Sequence, residues 1–86
     1  MAILVTGGTK GIGLAIAKRF AKPDVDVFLN FRSDTAAADQ ARAEIEAAGA
    51  RCHLIQGDVG NPEGARAVLA AVAAQSERIE DRKSVV

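Results

Sequence analysis

The sequence predicts an α/β fold in which a parallel sheet lies between helices in three layers. Three short apolar runs alternate with three segments of helical periodicity, and glycine or polar residues separate them. Continuous apolar runs of this length are typical of strands that are buried on both faces of a parallel sheet. Short connections with right-handed crossovers then give the order β-α-β-α-β-α. The parallel strand order 3-2-1 follows if these elements are the first half of a doubly wound fold.

Each element has its own start and stop signals. Lys22 and Pro23 end the first helix, and Ser33 or Asp34 caps the second. Asn61 is the predicted N-cap of the third helix, because proline follows at the first helical position. The predicted strands cover residues 2–6, 25–31 and 52–56, and the predicted helices cover residues 14–20, 35–48 and 62–79.

The composition is typical of a single soluble globular domain. The chain has 86 residues, of which 49% are hydrophobic and 26% charged, and its formal net charge is zero. This balance argues against nucleic acid or an anionic membrane as a partner, since both favour a basic excess. No apolar run approaches the ~20 residues that span a bilayer, and the first residues lack the basic start of a signal peptide. Because Cys52 is the single cysteine, no internal disulfide is possible, and we expect a cytoplasmic protein.

A glycine-rich turn, Thr6-Gly7-Gly8-Thr9-Lys10-Gly11-Ile12-Gly13, lies between the first strand and the first helix. A helix N-terminus has unpaired N–H groups and about half a positive charge, so it favours phosphate. The spacing fits neither G-x-G-x-x-G nor the Gly-Lys-Ser/Thr ending of a P-loop. The turn therefore predicts a phosphate site of another type, and the alternative is a tight strand-to-helix connection without a ligand.

The pattern T-G-x-x-x-G-I-G resembles that of the short-chain dehydrogenase/reductase family. Lys10 stands where the extended branch of that family has a middle glycine, so the resemblance is to the compact branch, with 3-oxoacyl-ACP reductase as the nearest named activity. The resemblance covers residues 2 to about 80. It implies a partial NAD(P)-binding domain of the Rossmann type over residues 1–80, from a parent protein that transfers hydride between NADPH and a carbonyl substrate and forms homo-oligomers.

The resemblance also implies which residues contact the pyrophosphate of the nicotinamide dinucleotide. The family's motif matches this chain at the glycine turn, and the implied ligands are Gly7, Thr9, Gly11, Ile12 and Gly13.

The end of the second strand bears on the choice between NADP(H) and NAD(H). In dinucleotide folds, an acidic residue about 20 positions after the glycines binds the ribose of NAD, whereas a nearby arginine accommodates the 2′-phosphate of NADP. Phe31 occupies the acidic position here and Arg32 follows. The resemblance adds Lys10 and Ser33 as ligands of the same phosphate, which favours NADP(H). Two alternatives stay open: the cations are ordinary surface charges, or the strand ends later and Asp34 binds the ribose of NAD(H).

Residues after the third strand complete the predicted site. The resemblance implies that Asp58 accepts a hydrogen bond from the adenine amino group and that the backbone of Val59 meets a ring nitrogen. The alternative is that Asp58 caps the following turn. Cys52 and His53 are adjacent and point to opposite faces of a strand, so we expect neither a Cys–His nucleophile nor a metal site.

The groups that catalyse the family's reaction are absent from this sequence. The chain has no tyrosine, and its asparagines are Asn30 and Asn61, so neither the Tyr-x-x-x-Lys nor the Asn-Asn-Ala-Gly motif is present. We therefore expect no catalytic residue and no activity from this chain by itself. The second hypothesis is a stand-alone nucleotide-binding or interaction module without catalysis.

The last residues have a different character from the rest of the chain. Residues 81–86 read Asp-Arg-Lys-Ser-Val-Val, which matches the translation of a common sequencing adapter. We expect a non-native tail here, and the alternative is a genuine charged terminus. Without a fourth strand, the first strand becomes an open sheet edge, so we also expect marginal stability and self-association.

Overall fold

The structure, a computed structural model, describes residues 2–7, 9, 11–76 and 83–85, with side chains described only before residue 76. The elements in chain order are β1 (Ala2–Val5), α1 (Gly11–Phe20), β2 (Asp26–Phe31), α2 (Thr35–Ala47), β3 (Arg51–Gln56), α3 (Pro62–Ser76) and β4 (Lys83–Val85). The predicted alternation of strands and helices is confirmed. The last predicted turn of α3, residues 77–79, lies outside the described residues.

The strands form one sheet in the order β3-β2-β1-β4, and every neighbouring pair is parallel. The predicted order 3-2-1 is therefore confirmed. The predicted open edge at β1 is wrong, because Ala2 and Leu4 are in register with Lys83 and Val85. A fully buried strand needs partners for its backbone N–H and C=O groups on both sides, and β4 supplies them on the second side. β4 lies inside the segment for which the sequence predicts a tail.

Two apolar layers cover the sheet, one on each face. On the first face, α1 and α2 contribute Ala17, Ala41 and Ile45, which pack against alternate residues of the three long strands. On the second face, α3 contributes Val68 and Val72, which pack against the other set of strand residues. The arrangement is the predicted three-layer fold, and it leaves the two ends of the sheet available for polar groups.

Side-chain caps fix where two of the helices begin. The carboxylate of Asp34 accepts the Ala37 N–H at 3.0 Å and so caps α2. The side-chain oxygen of Asn61 accepts the Glu63 N–H at 2.8 Å, which confirms the predicted cap of α3. Such caps satisfy N–H groups that have no partner inside the helix. Within the described ranges, no helix combines the length and hydropathy that crossing a bilayer requires.

Candidate functional site

The candidate site lies where the parallel strands β1, β2 and β3 end. Because parallel strands share one direction, their carboxyl ends meet at one edge of the sheet. β1 leads there into the glycine turn, β2 into Arg32, and β3 into Gly57 and Asp58. The fold thus brings three segments that are distant in sequence to one edge, as the sequence predicts.

The glycine turn adopts a backbone that requires glycine and leaves space above it. Gly7 and Gly11 have φ angles of 61° and 56°, in the left-handed region that side chains with a Cβ rarely adopt. A Cβ built on either residue would meet no atom within 4 Å other than those of its chain neighbours, so no other described residue fills this space. Thr9 is buried, whereas Ile12 is 81% exposed. Lys10 lies outside the described residues.

The charge at the start of α1 favours an anion. The first turn of this helix contains no acidic residue, so no carboxylate of its own neutralises the positive end of the helix dipole. Gly11 is the first residue of the helix, and Gly13 follows within the same turn. The open space above Gly7 and Gly11 and the uncompensated helix end together form a cradle whose charge favours an anion such as a phosphate group.

A cleft of about 300 Å³ extends from the glycine turn between α1 and α2. Thr9, Gly11 and Leu14 form one wall, and α2 forms the other with Gln40 and Glu44 among its residues. The cleft is partly apolar and joins the turn to the beginning of α2. The cleft enlarges the space beside the cradle, and none of its described lining residues is basic.

Arg32 and Asp58 lie together at the ends of β2 and β3. The Arg32 Nε is 3.9 Å from the Asp58 Oδ2, and the two side chains are 80% and 51% exposed. An exposed ion pair at this distance contributes little to stability and is easily exchanged for another partner. The Arg32 carbonyl accepts a hydrogen bond from the Gln56 side chain at 3.2 Å, which anchors the backbone of Arg32 to β3. The backbone of Arg32 is therefore anchored to β3, while its side chain is largely exposed.

Asp34 does not extend strand β2. The strand ends at Phe31, and Asp34 is the N-cap of α2. The alternative with a later strand end is therefore wrong for this structure. Ser33 is exposed, and its carbonyl accepts the Thr35 N–H at 3.0 Å in the turn between the strand and the helix.

The loop that carries Asp58 is tightly built. The second carboxylate oxygen of Asp58 accepts the Gly60 N–H at 2.9 Å, so Asp58 also closes the local turn, as its alternative role predicts. Val59 is 38% exposed beside it. A Cβ built on Gly64, in the first turn of α3, would overlap the carbonyl oxygen of Asp58. A glycine is thus needed at Gly64 for the helix to approach this loop.

Asn30 connects the two loops from inside the sheet, and sequence reasoning missed it. Its side chain is buried, accepts the Gly7 N–H at 3.4 Å, and donates to the carbonyls of Ile55 and Gly57 at 3.2 and 3.0 Å. The signal that could have found it is an amide in an otherwise apolar strand, because a buried polar group needs partners. Gly64 was missed as well, although an isolated glycine within a helix usually has a packing reason.

The remaining titratable side chains of β2 and β3 lie away from this edge. Asp26, at the start of β2, contacts Arg51 and His53, and His53 stacks on Phe28 with ring centroids 4.6 Å apart. Cys52 is buried on the opposite face, where burial raises the pKa of its thiol to about 11. The predicted divergence of Cys52 and His53 is confirmed. Within the part of the chain that the structure describes, no cluster of three or more His, Cys, Asp or Glu side chains could hold a metal ion.

A glycine turn that leads from the first parallel strand into a helix, in a sheet covered on both faces, defines a doubly wound nucleotide-binding fold. The family model described as short chain dehydrogenase matches residues 1–80, and the chain belongs to this family of oxidoreductases. The family uses nicotinamide dinucleotides and small-molecule substrates, and the chain corresponds to its nucleotide-binding N-terminal part.

Individual relatives agree with this assignment. The chain is 41% identical to glucose 1-dehydrogenase 2 of Bacillus subtilis over 66 residues, which are 77% of this chain and 26% of that protein. A short-chain dehydrogenase from Oenococcus oeni superimposes with a TM-score of 0.79 and 29% identity, over 86% of this chain and 34% of that one. RhlG of Pseudomonas aeruginosa, solved as an active-site complex with NADP, gives a TM-score of 0.77 and 34% identity, over 88% and 29%. The chain thus spans about a quarter to a third of these relatives.

Proposed function

We propose that this chain forms the part of an NADP(H)-dependent oxidoreductase that binds the adenosine and pyrophosphate of the cofactor. The whole protein would transfer hydride between NADPH and the carbonyl group of a substrate. The substrate class that we propose is the 3-oxoacyl thioesters. The observation that carries the proposal is the position of Arg32, which follows β2 with its side chain 80% exposed while Asp34 is engaged as a helix cap. The complex of RhlG with NADP supports the same cofactor here.

The proposed pyrophosphate ligands are Gly7, Thr9, Gly11, Ile12 and Gly13. The open space above Gly7 and Gly11 fits a group that must approach the backbone closely, and the unneutralised start of α1 favours its negative charge. Because Ile12 is 81% exposed, a cofactor bound over the first helical turn would contact it.

The proposed 2′-phosphate ligands are Arg32, Ser33 and Lys10. A guanidinium offers two parallel N–H donors to one phosphate, which gives both charge and geometry. Asp58 and Val59 would bind the adenine, since Asp58 lies 3.9 Å from Arg32 and both adjoin the same edge. In this arrangement the ion pair with Asp58 holds Arg32 near the phosphate position until the phosphate replaces it.

Bound NADPH would supply the hydride, and the residues of this chain would bind and orient its adenosine end. The sequence contains no tyrosine that could protonate a substrate carbonyl. We propose that the catalytic groups belong to a part of the protein outside these residues and that this chain alone has no reductase activity.

The proposal is tested by comparing 2′,5′-ADP with 5′-AMP in calorimetric titrations of the chain. The two ligands differ by the 2′-phosphate alone, so the unmutated chain should prefer 2′,5′-ADP. Loss of one hydrogen bond to a charged group corresponds to about 1.5–3 kcal/mol. Arg32→Ala should therefore weaken binding of 2′,5′-ADP by that amount and leave 5′-AMP nearly unchanged.

Arg42→Ala is the matched control. Arg42 lies on α2, pairs with Glu46 at 3.6 Å, and is half exposed, so its removal changes the net charge equally at a different place. This control should leave the preference for 2′,5′-ADP intact. Equal affinity of the unmutated chain for the two ligands would contradict the proposed cofactor preference.

A further inference from the structure

The side chain of Asn30 is a buried polar group at the carboxyl end of β2. It is 2% exposed and lies on the same face of the strand as Phe28, inside the sheet's second apolar layer. A polar group in such a place is tolerated when its hydrogen-bonding capacity is met. The structure leaves no buried side-chain nitrogen or oxygen unsatisfied among the described residues.

The three hydrogen bonds of Asn30 use the capacities of an amide in one orientation. The oxygen accepts the Gly7 N–H at 3.4 Å, and both hydrogens of the nitrogen are donated, at 3.2 Å to the Ile55 carbonyl and at 3.0 Å to the Gly57 carbonyl. In the flipped orientation, the Asn30 NH2 group would face the Gly7 N–H, and the Asn30 oxygen would face the carbonyls of Ile55 and Gly57. Aspartate has no such donors and threonine has one, so asparagine is the residue of this length that satisfies all three partners.

Two of the three partners of Asn30 belong to different loops, and the third, Ile55, lies in β3. Gly7 is in the turn that follows β1, and Gly57 precedes Asp58 in the loop that follows β3. The Gly57 N–H donates to the Phe31 carbonyl at 2.9 Å, so the backbone already ties the second loop to β2. On the β1 side, the Asn30 side chain adds a link from the same strand to the glycine turn. One buried amide therefore fixes the distance between the two loops.

We propose that Asn30 is a positioning residue that holds the glycine turn and the Asp58 loop at the spacing of one ligand that reaches both. The inference rests on the proposed function, in which the first loop binds pyrophosphate and the second binds adenine. Asn30 touches no ligand itself and acts through Gly7 and Gly57.

This role distinguishes ligands by their length. A ligand that contacts both loops gains affinity because the second contact follows the first within the same molecule, at an effective concentration set by geometry. That gain in affinity is lost when the distance between the two loops is no longer fixed. A ligand that contacts the Asp58 loop alone does not depend on the spacing.

The test compares ADP-ribose 2′-phosphate, which spans both loops, with adenosine 2′-monophosphate, which lacks the pyrophosphate. Binding is measured by calorimetry for the unmutated chain and for Asn30→Leu, which keeps the number and branching of the side-chain heavy atoms and removes the hydrogen bonds. We expect the variant to lose at least about tenfold in affinity for the longer ligand, equivalent to about 1.4 kcal/mol, and less than about threefold for the shorter one.

Arg51→Gln is the control for general destabilisation. It weakens the contact with buried Asp26 at the amino end of β2, far from both loops, so it should reduce stability without changing the ratio of the two affinities. Because Asn30→Leu also removes buried hydrogen bonds, a second measurement uses the unmutated chain. The Nδ2 hydrogens of Asn30, followed by NMR, should gain protection from exchange with ADP-ribose 2′-phosphate and not with adenosine 2′-monophosphate.

The outcomes separate the two proposals. If the unmutated chain binds neither ligand, the proposed function fails before any variant is compared, and the role of Asn30 falls with it. If the unmutated chain binds both ligands, but Asn30→Leu weakens both equally or neither, Asn30 is a purely structural residue. Equal protection of the Asn30 amide by both ligands would overturn the inference in the same way.

Discussion

Arg51 donates two parallel hydrogen bonds to the buried carboxylate of Asp26. The Nε donates to Oδ1 at 2.8 Å and the Nη2 donates to Oδ2 at 2.7 Å, between residues that lie opposite each other in β2 and β3. Asp26 is 1% exposed, whereas the Arg51 side chain is 56% exposed. This contact lowers the pKa of the Asp26 carboxyl from 3.8 to about 2, against the opposing effect of burial, and His53 adds to the lowering.

The low pKa of Asp26 predicts a defined acid dependence of stability. A carboxyl whose pKa is lower in the folded state stabilises that state fully above its unfolded pKa, and the contribution is lost as the pH falls through the folded value. A change from 3.8 to about 2 corresponds to roughly 2–3 kcal/mol at neutral pH. Urea unfolding from pH 6 to pH 2 should show this loss below about pH 4.

Asp26→Asn provides the reference for that measurement. The difference in unfolding free energy between the unmutated chain and the variant should shrink below about pH 4, because the variant has no carboxyl to protonate at this place. A difference that stays constant down to pH 2 would show that Arg51 does not stabilise the charged form of Asp26.

Cys52 should be unreactive while the chain is folded. Burial raises the pKa of its thiol from 9.0 to about 11, which lowers the thiolate fraction at pH 8 by about a hundredfold. Since the chain has one cysteine, reaction with a chromogenic disulfide reports on this site alone. We expect slow reaction in buffer and fast, complete reaction in guanidinium. Fast reaction in buffer would show that the contact of β3 with α2 opens readily.

Two substitutions of Asp34 separate its capping role from a role in binding ribose. Asp34→Ala should reduce stability by about 1 kcal/mol through loss of the cap, whereas Asp34→Ser should retain most of it. Both variants should keep the preference for 2′,5′-ADP, because the Asp34 carboxylate accepts the Ala37 N–H. A selective loss of affinity for ADP-ribose in Asp34→Ser, measured by calorimetry, would favour the ribose role and NAD(H).

Gly64→Ala should destabilise the chain, although alanine is the better helix former. A Cβ at this position overlaps the Asp58 carbonyl, and such crowding usually costs about 1–3 kcal/mol. The same change in an open helix would stabilise by about 1 kcal/mol. Ala70→Gly, at an exposed position of α3, gives the propensity effect alone for comparison. Thermal unfolding of both variants checks the sign, and a stabilised Gly64→Ala would mean that the Asp58 loop moves freely.

The elements were predictable because their signals are local. Apolar runs, the proline at Pro62 and the caps at Asp34 and Asn61 act over a few residues, so their consequences can be expected without knowing the fold. The chemistry of the glycine turn is local as well. The convergence of Arg32 and Asp58 followed from the order of the strands, since parallel strands end at one edge.

The missed features depend on neighbours that are distant in sequence. The buried carboxylate of Asp26 is tolerated inside the sheet because Arg51 lies opposite it on β3. The buried amide of Asn30 is tolerated because its partners, at the ends of β1 and β3, lie beside it. No local pattern reveals such partners. The pairing of β4 with β1 was missed for a different reason, because three residues carry too little periodicity to predict a strand.

The two buried polar residues of β2 have a further consequence for how the chain finds its native pairing. Asp26 and Asn30 lie on the same face of the strand, at its two ends, and the positions between and around them are apolar. Sliding β2 by one residue against its neighbours would turn both polar groups towards α1 and α2 and separate them from Arg51, Gly7 and Gly57. A carboxylate and an amide would then be buried without partners at the same time. The polar ends of β2 therefore discriminate against misaligned sheets, which its apolar side chains alone would tolerate.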